Sequence, residues 1–148
     1  KNFKFRVKWD NKYVAGISKV SALKRTTDVT EYREAGNQIS SHRFPGRTTY
    51  APIMLERGII DDQEFEKWAN AVAHPEAGNS AQDFRKDILL EIYNVKGKLV
   101  MAYKIYRCWV SEYQALPDLD ADTPSALIEQ IRLENEGWER DSDIAMPR

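Results

Sequence analysis

The chain predicts a mainly β fold: an antiparallel β-barrel or two-sheet sandwich with one flanking α-helix (about residues 62–74) and a long loop at 34–49. Three observations carry this expectation. The run Leu99–Leu116, LVMAYKIYRCWVSEYQAL, is rich in Val, Ile, Tyr and Trp and lacks Gly and Pro, so it reads as one long strand. Shorter alternating segments bounded by turn residues recur along the rest of the chain. Only one stretch, after Asp61, places apolar residues at helical spacing.

The elements follow in order. Phe3, Phe5, Val7 and Trp9 alternate with Lys4, Arg6 and Lys8, which predicts a half-buried strand with a basic outer face. Asp10-Asn11 is a turn signal. Tyr13–Leu23 reads as a returning strand with a bulge at Gly16, and Val29–Arg33 continues extended. Glu34–Thr49, EAGNQISSHRFPGRTT, is dominated by Gly, Asn, Ser and Pro and reads as a loop. Loops beyond about 12 residues in a compact domain are usually functional or disordered. Tyr50–Arg57 resumes strand character, with Pro52 near its start. Asp61 then reads as the N-cap of a helix, with Glu64 three residues on, and Phe65, Trp68, Ala69 and Val72 share its apolar face. His74-Pro75 ends it.

Lys86–Asn94 is the next strand, and a turn at Lys96-Gly97 returns the chain into Leu99–Leu116. In that long strand Leu99, Met101, Tyr103, Ile105 and Trp109 fall on one face, and Val100, Ala102, Tyr106, Cys108 and Val110 on the other. Its length, on the order of 50 Å at about 3.3 Å per residue, predicts a bend or bulge. Both faces are apolar, so both need cover. Ala126–Asn135 is the last strand, with Leu127, Ile131 and Leu133 on one face and Gln130, Arg132 and Glu134 on the other. The whole reads as a single domain, residues 1–148, with a folded core to 140 and a loose tail at 141–148.

Composition excludes several classes. The net charge is −1 with both signs dispersed, so no basic block supports nucleic-acid coating. No apolar run has the length and freedom from charge needed to span a membrane, so no membrane anchor is expected. The single cysteine, Cys108, excludes an internal disulfide framework, fits a reducing cytoplasm and reads as a small buried hydrophobe. No phosphate loop, zinc spacing or dinucleotide turn is present, and His42 and His74 have no triad around them. The sharpest motif is acidic: Asp118, Asp120 and Asp122 alternate, and Glu129 stands where the last ligand of an EF-hand calcium loop belongs. Thr123 replaces the turn glycine and Pro124 follows, so the residues favour a solvated acidic loop, and neither metal nor cofactor is expected.

The segments FRVKWDNKYVAGISKVSALKRTT, PIMLERG, EFEKWAN, DFRKDILLEIYN, YRCWVSEYQALPDLDA and IRLENEGWERD resemble, in the same order, the tail-tube proteins of contractile phage tails and related contractile injection systems. The resemblance implies a pair of sheets flanked by a helix, similar to the haemolysin-coregulated protein of type VI secretion. It implies hexameric rings stacked into a hollow tube inside a contractile sheath, a structural role and not an enzymatic one. It also implies partners: further copies of the chain, the sheath protein, baseplate or hub and tube-terminating proteins, and a protein or DNA cargo in the lumen. Synthesis and assembly would be cytoplasmic, before the subunit joins a tail or injection particle.

On this reading His42, Arg43, Phe44 and Arg47 in the polar loop are expected to contact an adjacent subunit. Tyr13, Val20, Val110 and Tyr113 are expected to help join sheets between subunits, which removes free edges. Gln130, Arg132 and Glu134 are candidates for the lumen. The alternatives are a monomeric ligand-binding β-barrel and, ranked last, a metal-dependent enzyme using Asp118, Asp120 and Asp122.

Overall fold

A computed structural model describes residues 3–32, 42–74, 84–123 and 126–144. Its elements run β1 (Lys4–Trp9), β2 (Lys12–Tyr13), β3 (Ile17–Val20), β4 (Arg25–Tyr32), β5 (His42–Tyr50), β6 (Ile53–Gly58), α1 (Glu64–Ala73), β7 (Lys86–Tyr93), β8 (Leu99–Gln114), β9 (Ile128–Glu134) and β10 (Trp138–Arg140). The strands pair antiparallel in the order β2-β1-β7-β8-β9-β6-β3, with β10 beside β8; β4 and β5 form a separate two-stranded sheet. The path is open at β2 and β3, so the subunit is a sandwich and not a closed barrel.

β8 belongs to both layers. Its first part pairs with β7 and β10, its last part with β9. The hand-over occurs at Arg107, which takes a left-handed φ of 51° while its N–H donates to Asp87 Oδ1 at 2.8 Å. A residue in that conformation turns the strand and reverses which side chains face inward. Before it, Tyr103 and Ile105 face the core, paired with Leu90 and Ile88; after it, Cys108 and Val110 do. The strict alternation expected along Leu99–Val110 therefore flips once. Val100 and Ala102 are also buried, at 5% and 0% exposure, but lie outside the core cluster, on the other face of the sheet.

The core is aromatic at its centre. Trp9 lies 4.9 Å from Trp68 and 6.2 Å from Phe65, ring centre to ring centre. The expected apolar face of α1 is buried through Phe65, Trp68 and Ala69, and Trp68 Nε1–H donates to the Phe84 carbonyl at 2.6 Å. Burying side chains of this size stabilises by about 1.5–3 kcal/mol each. The helix begins two residues later than its expected bounds: Gln63, not Asp61, is the N-cap and makes no side-chain capping bond, while Asp62 Oδ1, one residue before it, accepts the Glu64 N–H at 3.1 Å.

Two segments depart from expectation. Gly16, at φ +77°, does more than bulge the returning strand: it divides it, β2 pairing with β1 and β3 crossing to β6. The expected loop 34–49 is strand from His42 onward, paired with β4 through Arg25↔Tyr50 to Tyr32↔His42; residues 34–41 lie outside those described. Pro45 and Gly46 mark a register shift in this hairpin, and a Cβ on Gly46 would sit 3.1 Å from Thr30 Oγ1. Beyond β10 the Asp141 N–H donates to the Ala102 carbonyl at 2.8 Å; residues 145–148 of the expected loose tail are outside those described.

Candidate assembly surfaces

The β4–β5 hairpin stands apart from the sandwich. Every residue of β4 is exposed, and so is every residue of β5 except Tyr50. Its root is held: Tyr50 meets the Trp138 ring edge-on at 5.7 Å, the Arg25 guanidinium lies 5.7 Å from the same ring, and Ala51 N–H donates to the Lys24 carbonyl. Along its length His42, Arg43 and Phe44 face Tyr32, Glu31 and Thr30 across the ladder. Arg43 pairs with Glu31 at 3.3 Å, but both side chains are more than half exposed, so the pair adds about 0–1 kcal/mol. Phe44, Tyr32 and Val29 remain more than half exposed, and Arg47 has no ionic partner among the described residues. A two-stranded hairpin with neither face covered is marginal in water.

The open edge at β2 is tied down by a polar knot. Tyr13 and Tyr93 both donate to Glu91 Oε1, at 2.8 and 2.7 Å, and the Arg6 guanidinium lies 5.0 and 5.6 Å from their ring centres. Burial and the bond to Glu91 push the Tyr93 phenol well above its usual pKa. At the other edge, Val20 on β3 packs against the core and pairs with Leu55. Val110 is 5% exposed inside the core, opposite Leu133, so it braces the sheet from within.

Tyr113 belongs to a second knot, centred on Arg57. This arginine has no exposed surface. Its Nε donates to Glu129 Oε1 at 2.8 Å, Nη1 to Asp62 Oδ2 and the Ala15 carbonyl at 3.1 Å each, and Nη2 to the Asp62 carbonyl at 2.8 Å. Its guanidinium lies 4.2 Å from the Phe65 ring centre, and Tyr113 donates to Glu129 Oε2 at 2.8 Å. That bond, after burial, raises the Tyr113 phenol. Arg57 thus joins β6, β9, the β2–β3 turn and the start of α1.

Glu129, the residue at the last calcium-loop position, is 8% exposed and its carboxylate is engaged by Arg57 and Tyr113. Asp120 closes its own turn, accepting from Asp122 N–H and Thr123 Oγ1 at 2.9 and 3.2 Å. Among the described residues, no group of three or more His, Cys, Asp or Glu side chains is placed to hold a metal ion. Cys108 is buried and its thiol is pushed up to about 12 by desolvation. Gln130, Arg132 and Glu134 share the outward face of β9, where Glu134 Oε2 accepts from Arg132 Nε at 3.1 Å and from Ser111 Oγ at 2.6 Å.

Sequence reasoning missed the Arg57 knot, although a signal was present. Ile53, Leu55 and Arg57 share one strand face, as do Glu129, Ile131 and Leu133, so a cation and an anion each occupy an inward position. Charges at such positions are almost never fully buried unless paired.

Among the described residues, the sandwich has two open edges and the hairpin is covered on neither face. The comparisons name the class. The model of the T4-like virus tail tube protein gp19 family matches residues 1–139, and the chain belongs to that family, whose role is that of a structural inner-tube protein. No curated protein matches. Solved structures share the fold. A chain of the PVC sheath/tube terminator, from an extracellular contractile injection system, is 21% identical, with 94% of each chain covered and a TM-score of 0.77. A chain of the anti-feeding prophage baseplate is 19% identical, covering 93% of this chain and 91% of that one, with a TM-score of 0.76. Hcp1 from Flavobacterium johnsoniae is 14% identical, covering 92% and 93%, with a TM-score of 0.55.

Proposed function

We propose that this tube protein forms hexameric rings that stack into a hollow tube inside a contractile sheath, and that it acts as a structural element without catalytic activity. It is made in the cytoplasm and then becomes part of a tail-like particle. Its partners are further copies of itself, a sheath protein, baseplate and tube-terminating proteins, and a cargo of protein or DNA. The solved relatives support these partners, since they come from sheath–tube, baseplate and cap assemblies.

The observation that carries the reading is the uncovered β4–β5 hairpin. Exposed Phe44, Tyr32 and Val29, with the cations Arg43 and Arg47, give it the apolar and charged groups to bind a neighbouring subunit. The open edges at β2 and β3, near Tyr13 and Val20, suit sheet continuation between subunits. The polar row Gln130, Arg132 and Glu134 is our candidate for the lumen.

Negative-stain electron microscopy of the concentrated protein tests the proposal. Hollow rings or tubes of uniform diameter are expected. Monomeric particles that persist with baseplate components added contradict it, and return attention to a ligand-binding monomer. That rival has a candidate pocket in an apolar cleft of about 420 Å³ lined by Phe5, Leu23, Ile92 and Trp138, and it predicts a ligand that raises the melting temperature.

A further inference from the structure

The two ends of β8 carry opposite chemistry. Where β8 begins, the β1–β7 ladder ends at Lys4↔Tyr93, with Phe3 one residue beyond it on the β1 side and Val95 two residues beyond it in the β7–β8 turn. They are 59% and 71% exposed, and the exposed Lys4, Lys96 and Lys98 adjoin them along the chain. The turn that presents Val95 is firmly built: Asn94 Oδ1 accepts the N–H groups of Lys96 and Lys98 at 3.0 and 2.9 Å, and Asn94 N–H donates to the Lys98 carbonyl at 2.9 Å. Among the described residues these three lysines have no acidic partner.

Where β8 ends, the β8–β9 ladder stops at Gln114↔Gln130 and the β6–β9 ladder at Gly58↔Ile128. Leu116, Leu127 and Ile59 leave the sheet there together, and the Ile59 N–H donates to the Leu127 carbonyl at 3.1 Å. These three residues and Leu119, three positions beyond Leu116, are 40–66% exposed, so this end of β8 carries four large exposed apolar side chains. Asp118 and Asp122 lie in the same β8–β9 connection as Leu116 and Leu119, exposed and without a cationic partner among the described residues. Each end alone is an ordinary surface. On one chain, the two ends of β8 combine exposed apolar side chains of the same kind with exposed charges of opposite sign.

We propose that the Phe3–Val95 end of one copy seats on the Leu116–Leu127 end of the next, with Lys4, Lys96 and Lys98 set against Asp118 and Asp122. The occupant is a second copy of this chain, which rests on the tube reading and adds the surfaces that meet. Because two different ends pair, the contact is head-to-tail and repeats without limit or closes into a ring. The apolar side chains exclude water from the charge pairs, and the charges fix which ends meet.

Two charge-reversal variants test it: Lys96→Glu with Lys98→Glu, and Asp118→Lys with Asp122→Lys. Asp120 is left alone because it holds its own turn. Melting curves and circular dichroism verify that each variant folds, and sedimentation with electron microscopy gives the critical concentration for assembly. Each variant alone faces like charge with like, and its critical concentration is expected to rise by about tenfold or more. An equimolar mixture restores opposite charges at every contact, and assembly within about threefold of wild type is expected. Wild-type tubes together with unchanged assembly of both variants overturn the pairing and leave the tube reading standing. Folded wild-type protein that never assembles overturns both.

Discussion

The β6–α1–β9 corner and the β4–β5 hairpin are built from the same chain by opposite rules. The corner closes on itself: Arg57, with no exposed surface, makes four hydrogen bonds to groups on three other parts of the fold, and Phe65 stacks beneath it. Among the described residues the hairpin leaves its groups open, with the Arg43–Glu31 ion pair in solvent and Val29, Tyr32 and Phe44 more than half exposed. The contrast locates two kinds of stability. The corner holds itself within the subunit, whereas the proposed tube would give the hairpin its cover from a neighbouring copy.

Substitutions separate the two. Removing Arg57 has the largest expected effect. Arg57→Met leaves Glu129 buried without its cation and is expected to destabilise the isolated subunit by about 3–5 kcal/mol, measured by urea unfolding. Adding Glu129→Gln to Arg57→Met removes the stranded charge and recovers part of that loss; no recovery would show that Glu129 is not the group left unsatisfied. In the hairpin, Arg43→Glu with Arg47→Glu is expected to change subunit stability by less than about 0.5 kcal/mol while abolishing tubes, because exposed substitutions seldom act on folding. Normal tubes from this variant would remove the hairpin from the interface.

The smallest effect lies at alkaline pH. Tyr93 and Tyr113 have phenols raised by burial and by hydrogen bonds to Glu91 and Glu129. In the unfolded chain these phenols ionise near pH 10, so above that pH the folded state binds more protons and loses stability as pH rises. Their contribution is complete below about pH 9–10, and Tyr93→Phe with Tyr113→Phe is expected to flatten the alkaline fall in melting temperature.

Much of this contrast was legible in the sequence, and what was not has physical causes. The alternation in β1, the aromatic face of α1 and the length of β8 are patterns of burial, and burial leaves a period in the sequence. The hairpin buries neither face, so it has no period, and its Pro45, Gly46 and threonines read as loop although they form a ladder. The flip at Arg107 depends on one backbone angle that residue type does not announce. The acidic spacing of Asp118, Asp120 and Asp122 with Glu129 drew attention to a metal loop; the inward position of Glu129 on β9 was the stronger signal.

Amide hydrogen exchange, compared between the free subunit and assembled tubes, tests the central claim most directly. If the hairpin is completed by another copy, the ladder amides of residues 25–32 and 42–50 are expected to exchange readily in the subunit and to slow on the order of a hundredfold in the tube, while amides around Arg57 are slow in both. A hairpin that exchanges equally fast in tube and subunit would contradict the account.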